Sequence, residues 1–220
     1  MKPLEFRGHD VPLHNFTVDN DGLSPDKTKR TVQGGHMQGT FEFRYAQFHW
    51  GSTSSQGSEY RVDGIAYPME AQLVYTRDNY AAVKEPGHKY SVAIMATLYQ
   101  VTFVDFDSVR AMRSILEVVE STTSTRGHRS LRHLLPWMVR RLTGHGSDAD
   151  KSFPLTLHSL MPQADRQKFY TYRGSLTTPP CTESVRWTIF SRNAFISEAL
   201  PSLRAAWWLE REIRSDLASL

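Results

Sequence analysis

Phe41-Glu42-Phe43-Arg44-Tyr45-Ala46-Gln47-Phe48-His49-Trp50-Gly51 is the stretch on which the architecture turns. Phe41, Phe43 and Tyr45 alternate with Glu42 and Arg44, the period-two signature of a strand with one wet face. The same period sets Gln47 and His49 two apart and therefore on one face. Just upstream, Gln33-Gly34-Gly35 and Gln38-Gly39 bracket a tight connection into the strand. Glu70 to Tyr75 is a further strand candidate, and pairing it beside the first brings Gln72 opposite Gln47 and His49. Two side chains from one strand and a third from its neighbour make a facial three-ligand arrangement. Zinc takes imidazole, thiolate or carboxylate in such a site. A Gln amide is neutral and only weakly basic at its carbonyl oxygen. One His with two Gln is a poor zinc site.

Outward from this stretch, Tyr90 to Val101 is long, β-branched and aromatic, which predicts a central strand buried on both faces. Ser108 to Glu120 carries Val109, Met112, Leu116 and Val119 at helical spacing and predicts an amphipathic helix. Ser121 to Ser124 reads as a polar linker. Arg126 to His145 then holds five Arg, three His and no acidic residue. Leu131, Leu134, Leu135, Met138 and Leu142 could share a helical face there, although Pro136 would kink or end it. From Phe153 the strand-and-turn texture returns, with Gly174, Pro179 and Pro180 as punctuation and a strand around Trp187, Ile189 and Phe190. Residues 199–220 read as a helix. The expected fold is mainly β (α+β), one domain over residues 1–220.

Composition narrows the classes. Of 220 residues, 40% are hydrophobic and 22% charged, which suits a sizeable core and not a disordered chain. No apolar run approaches the roughly 18 residues of a membrane span, and residues 1–15 lack the apolar run of a signal peptide. Lys and Arg number 26 against 23 Asp and Glu, a net charge of +3, too small for a nucleic-acid footprint unless clustered. Cys181 is the single cysteine, so a disulfide framework and a Cys-rich zinc site are excluded. Asn15-Phe16-Thr17 is a glycosylation sequon, consistent with an extracellular origin.

Several motifs occur in the order seen in α-type carbonic anhydrases. They are Gly34-Gly35, Gly39-Thr40-Phe41, Phe48-His49-Trp50-Gly51, Gly57-Ser58-Glu59, Glu70 and Gly174-Ser175-Leu176-Thr177-Thr178-Pro179-Pro180. The chain resembles that family over most of its length, apart from 121–150 and the two ends. The resemblance implies the α-carbonic anhydrase fold, a large twisted, mostly antiparallel sheet with peripheral helices, here incomplete at both ends and with an atypical basic insertion at about 121–150.

By the same resemblance, the three zinc-binding histidines fall at Gln47, His49 and Gln72, so only His49 survives. Thr177 and Glu59 match the gate pair, in which the threonine hydroxyl donates to the carboxylate. Glu70 matches the acid that would hold a ligand imidazole. Val74, Ile94, Leu176, Thr178, Val185 and Trp187 match the pocket wall. No His stands at the proton-shuttle position, placed near 20–23. A shifted register that aligns His49 with the first ligand still leaves Gln72 wrong. Carbon dioxide hydration needs a metal-bound water brought to a pKa of about 7. Losing even a group that supports a ligand costs roughly 10–100-fold in affinity or activity, and losing two ligands should cost far more. No cofactor is therefore expected, and zinc only if the pocket is active. Without metal, His49 would be a hydrogen-bonded core histidine.

The pattern is most similar to the inactive carbonic-anhydrase-like ectodomains of receptor-type tyrosine phosphatases gamma and zeta, where Cys also follows Pro-Pro. That resemblance implies an extracellular recognition and adhesion module with a contactin-type cell-surface partner. It also makes Cys181 one half of a disulfide whose partner this chain lacks. Two alternatives stand beside it. One is a zinc-dependent carbonic anhydrase with weak residual activity. The other is a polyanion-binding protein acting through 126–145.

Overall fold

The computed structural model describes residues 2–13, 17–19, 22–24, 28–51, 53, 55–77, 91–123, 153–179 and 181–197. Side chains of the long helix are described as far as Ile115, and Leu23 is the one side chain described between 17 and 24. Asn15, the 126–145 segment, Pro180 and the expected tail helix at 199–220 lie outside the described residues.

Among these residues one ten-stranded sheet dominates. Its strands are β1 (Lys2–Arg7), β2 (Thr17–Asp19), β3 (Gly22–Ser24), β4 (Thr31–Gly35), β5 (Phe41–Trp50), β8 (Met69–Thr76), β9 (Val92–Thr102), β10 (Phe169–Gly174), β11 (Val185–Phe190) and β12 (Ala194–Ser197). The small hairpin β6 (Arg61–Val62) and β7 (Ile65–Ala66) stands apart. The order is β1-β4-β5-β8-β9-β11-β10, with β12 also on β9 and β3 also on β5. Pairings from β1 to β9 are antiparallel, whereas β11 and β12 both run parallel to β9. The fold is thus mainly β on a mostly antiparallel sheet, as the family resemblance leads one to expect, and the two parallel pairings with β9 make the sheet mixed.

β9 is the middle of the construction. Its residues from Val92 to Tyr99 are all buried, because apolar clusters cover both faces, while β8 pairs with one edge and β11 and β12 share the other. β8 is buried along its whole length. The expected helix is α1 (Asp107–Thr123). Val109, Met112, Ala111 and Ile115 form its buried face. Ser108 pins its first turn to β12, donating to the Phe195 carbonyl at 2.9 Å and accepting from the Phe195 N–H at 3.0 Å. The polar stretch expected from Ser121 begins inside this helix, since helical backbone continues to Thr123. No helix of the described residues is long and apolar enough to cross a membrane.

The two faces of the sheet bury separate apolar clusters. One holds Phe41, Phe43, Leu73, Tyr75, Met95, Tyr99 and the α1 face. The other holds Val74, Ile94, Val185, Trp187 and their neighbours. The alternation of side chains along β8 and β9 produces this division: Leu73 and Tyr75 fall on one face, Gln72 and Val74 on the other.

Candidate functional site

The site begins with register. β5 and β8 pair so that Gln47 faces Gln72 and His49 faces Glu70. Cross-strand partners project from the same face, so four polar side chains gather on the face that also carries Val74. Glu59 reaches them from a loop that is bent back tightly. A Cβ at Gly57 would lie 1.9 Å from the Pro68 carbonyl oxygen, so only glycine permits that approach. The Gly57 and Ser58 N–H groups donate to the Tyr67 carbonyl at 2.9 and 2.8 Å. The Ser58 hydroxyl donates to the Tyr60 carbonyl at 2.6 Å and accepts from the Tyr67 N–H at 2.8 Å.

Gln72 is the hub. Its amide nitrogen donates to Glu59 Oε2 at 3.0 Å and to Glu70 Oε1 at 2.9 Å. Carboxylates can only accept, so the NH2 end of this amide must face them and both of its hydrogens are committed. The other Glu70 oxygen accepts from the Tyr60 N–H at 2.8 Å. Burial raises the Glu70 pKa above its ordinary value; the Tyr60 and Gln72 donors and the nearby His49 oppose the rise, and Glu59 adds to it. His49 Nδ1 stands 3.6 Å from Glu59 Oε1, beyond hydrogen-bond length. Its Nε2 is buried with no partner among the described residues. His49 is therefore not the hydrogen-bonded core histidine the sequence suggested. The loop that positions Glu59 directs that carboxylate first to Gln72.

Five of the six residues assigned to the wall are brought together. Val74, Ile94, Val185 and Trp187 are buried together, with Leu176 packed against them. Trp187 is oriented by its indole N–H, which donates to the Ser175 carbonyl at 3.0 Å. Its ring lies parallel to Tyr172 at 6.2 Å, and Tyr60 stacks on Tyr172 at 6.3 Å. Burial pushes the Tyr172 hydroxyl up to about 12, with Tyr60 and Glu70 adding to it. Gly174 makes room for the indole, since a Cβ there would sit 3.0 Å from it.

Thr177 and Thr178 are placed differently. Both are exposed, and neither joins that apolar cluster. No hydrogen bond links Thr177 to Glu59 among the described residues, so the expected gate pair is not closed. The turn beyond them is held by the Cys181 N–H donating to the Thr178 carbonyl at 2.9 Å, and Cys181 is exposed with a free thiol. Tyr60 and Ser58 were not singled out from the sequence. Ser58 lay within the quoted Gly-Ser-Glu motif, and Tyr60 acts through its backbone N–H, which no side-chain pattern reveals.

Chemically the arrangement can hold a buried carboxylate beside an amide and an apolar wall. It does not fit a zinc ion. One imidazole is present where three protein donors are required, and the amide of Gln72 has its hydrogens bound to carboxylates. Among the described residues no group of three His, Cys, Asp or Glu is arranged to hold a metal.

Comparison with known proteins gives the family. The profile of the eukaryotic-type carbonic anhydrase family matches residues 1–206. Human carbonic anhydrase 6 is 28% identical over 200 residues, covering 87% of this chain and 56% of that protein. Human receptor-type tyrosine-protein phosphatase zeta is 29% identical over 210 residues, covering 90% of this chain and 8% of that protein. A putative carbonic anhydrase 3 of Caenorhabditis elegans is 28% identical over 195 residues, 86% of this chain and 65% of that protein. The chain thus spans little more than half of carbonic anhydrase 6 and a small part of the phosphatase. With the family profile running over residues 1–206 of 220, the chain belongs to the eukaryotic-type carbonic anhydrase family.

Proposed function

We propose that this chain is a carbonic-anhydrase-related domain without hydration activity, serving as an extracellular protein-recognition module. The observation that carries the reading is the seating of Gln47 and Gln72 as cross-strand partners, with the Gln72 amide bound to Glu59 and Glu70. A zinc ion at this face would have a single imidazole to hold it. Binding it through Gln72 would also require turning the amide away from Glu59, which is exposed and open to water, and from the buried Glu70, a loss of about 1–3 kcal/mol at the buried acceptor left unsatisfied.

The similarity to receptor-type phosphatase zeta supports a cell-surface setting, with a contactin-type adhesion protein as the partner. The decisive pair of assays is metal content and sulfonamide-sensitive carbon dioxide hydration of protein produced with zinc supplied. The reading expects substoichiometric zinc and a flat hydration trace. Stoichiometric zinc with inhibitable hydration would replace it with the second reading, a weakly active carbonic anhydrase, which the intact apolar wall of Val74, Ile94, Val185, Trp187 and Leu176 favours. Absence of binding to immobilised contactin-type ectodomains would remove the named partner.

The double variant Gln47→His with Gln72→His tests the placement of the seats. It is expected to gain zinc, measured by metal analysis of the folded variant. A folded variant that gains none would show that these are not the ligand positions.

A further inference from the structure

On the opposite face from the Gln72 site, at the other end of β8, a histidine is held in a way the proposed function does not use. His9 follows β1, the strand at one edge of the sheet, and is completely buried. Both ring nitrogens are engaged. The Arg7 carbonyl can only accept, so Nδ1 carries the hydrogen and donates to it at 3.0 Å. Nε2 is then the acceptor, and the Tyr75 hydroxyl donates to it at 2.9 Å. The imidazole is thereby specified as neutral.

Its surroundings oppose a second proton. From β1, Phe6 packs edge-on at 5.0 Å. From β8, Tyr75 stacks at 5.8 Å, fully buried. From the 3-10 turn His158–Leu160, the His158 ring lies at 5.6 Å. The fully buried Arg30, ahead of β4, adds a fixed positive charge, and exposed Asp10 is the acid on the favourable side. Burial, joined by Arg166, in turn disfavours charge on His158, with Asp10 opposing. A proton on Nε2 would turn Tyr75 from donor to acceptor and leave its hydroxyl hydrogen to find another partner inside the core. Burial, joined by His158 and Arg30, holds the His9 pKa at about 4, against the opposing Arg7 carbonyl and Asp10.

The same residue ties three segments together. Its carbonyl accepts from the His158 N–H at 3.0 Å, and four residues on the Leu13 N–H donates to the Leu155 carbonyl at 2.8 Å. Among the described residues β1 pairs in the sheet with β4 alone, supplemented by Gln167, which bonds both the N–H and the carbonyl of Leu4. We propose that His9 is an acid-sensitive latch: neutral, it clasps the edge segment 2–13 and the 155–160 turn to Tyr75 of β8; protonated, it releases them while the central strands stay paired. The ligand of the switch is the proton, and the moving part is an edge, where release breaks one strand ladder and leaves the interior of the sheet intact.

Hydrogen exchange at pH 7 and pH 5, corrected for intrinsic rates, tests the latch. With a free-segment histidine near 6.5 and a latched one near 4, protection of amides in 2–13 and 155–160 is expected to drop about twenty-fold, with β8 and β9 unchanged. His9→Gln, whose amide can donate to the Arg7 carbonyl and accept from Tyr75, is expected to abolish the pH dependence. An equal drop in His9→Gln, a drop of less than two-fold in the native protein, or an equal drop across β8 and β9 would overturn the proposal. If His9→Gln does not fold, the ring resonances of the native protein decide. A His9 midpoint near 4 with the Nδ1–H tautomer above it is expected, and a midpoint at or above 6.5 contradicts the latch.

Discussion

Gln72 sits where two carboxylates converge, and its amide supplies one hydrogen to each. Hydrogen bonds to charged acceptors contribute more than neutral ones, and a buried carboxylate left without its donor is costly. Gln72→Leu keeps most of the volume and removes both donors. It is expected to lower stability by about 2–3 kcal/mol in urea unfolding, with the fold retained. A neutral effect would mean that water replaces the amide freely and that Glu59 and Glu70 do not depend on it. At this scale the sequence was legible where chemistry is carried by side-chain type and strand period. Gln47, His49, Gln72 and Glu70 share one face because residues two apart on a strand must. That the expected Thr177–Glu59 pair stays apart was not legible. It depends on the course of two loops, and these loops bring Glu59 to Gln72 and leave Thr177 exposed.

β8 and β9 show how elements create the two-sided sheet. Gln72 and Val74 face one cluster while Leu73 and Tyr75 face the other. On the site face, Trp187 from β11 is the largest member of the wall, oriented by Ser175 and flanked by Tyr172. Trp187→Ala is expected to cost about 3–5 kcal/mol and to expose the wall, read as a fall in urea midpoint together with loss of the Trp187 fluorescence signal. Gly57→Ala is expected to be more disruptive than its size suggests. The new Cβ meets backbone rather than a movable side chain, so the variant should lose soluble expression or move Glu59 off Gln72. The strands β5, β8 and β9 and the start of α1 were visible in the sequence because each is long enough to display its period. β2, β3, β6 and β7 are two or three residues long, too short for any period. The parallel pairing of β11 and β12 with β9 was equally hidden, since strand direction leaves no mark on composition.

Across the molecule, two buried titrating groups give the pH dependence opposite signs. His9 is held near 4 against an ordinary value of 6.5. The fold prefers the neutral ring, so its stabilising effect is complete above about pH 6.5 and is lost as pH falls toward 4. The loss amounts to about 3 kcal/mol. Glu70 is raised by burial, so the fold prefers its protonated form and acidification through its folded pKa favours the native state. Urea unfolding between pH 7 and pH 4.5 should therefore show a net acid loss that shrinks in His9→Gln. A loss of equal size in that variant would assign the acid sensitivity elsewhere. The apolar wall is where family resemblance and structure meet at this scale, because Val74, Ile94, Val185, Trp187 and Leu176 come from four separate segments and still pack as one cluster.

Gln47 and Gln72 are proposed to stand where a zinc ion would have to be held. The most direct test of that placement is the zinc content of the folded native chain after production with excess zinc and removal of loosely bound metal. Far less than one zinc per chain is expected. One tightly bound zinc per chain, lost on substituting His49, would contradict it.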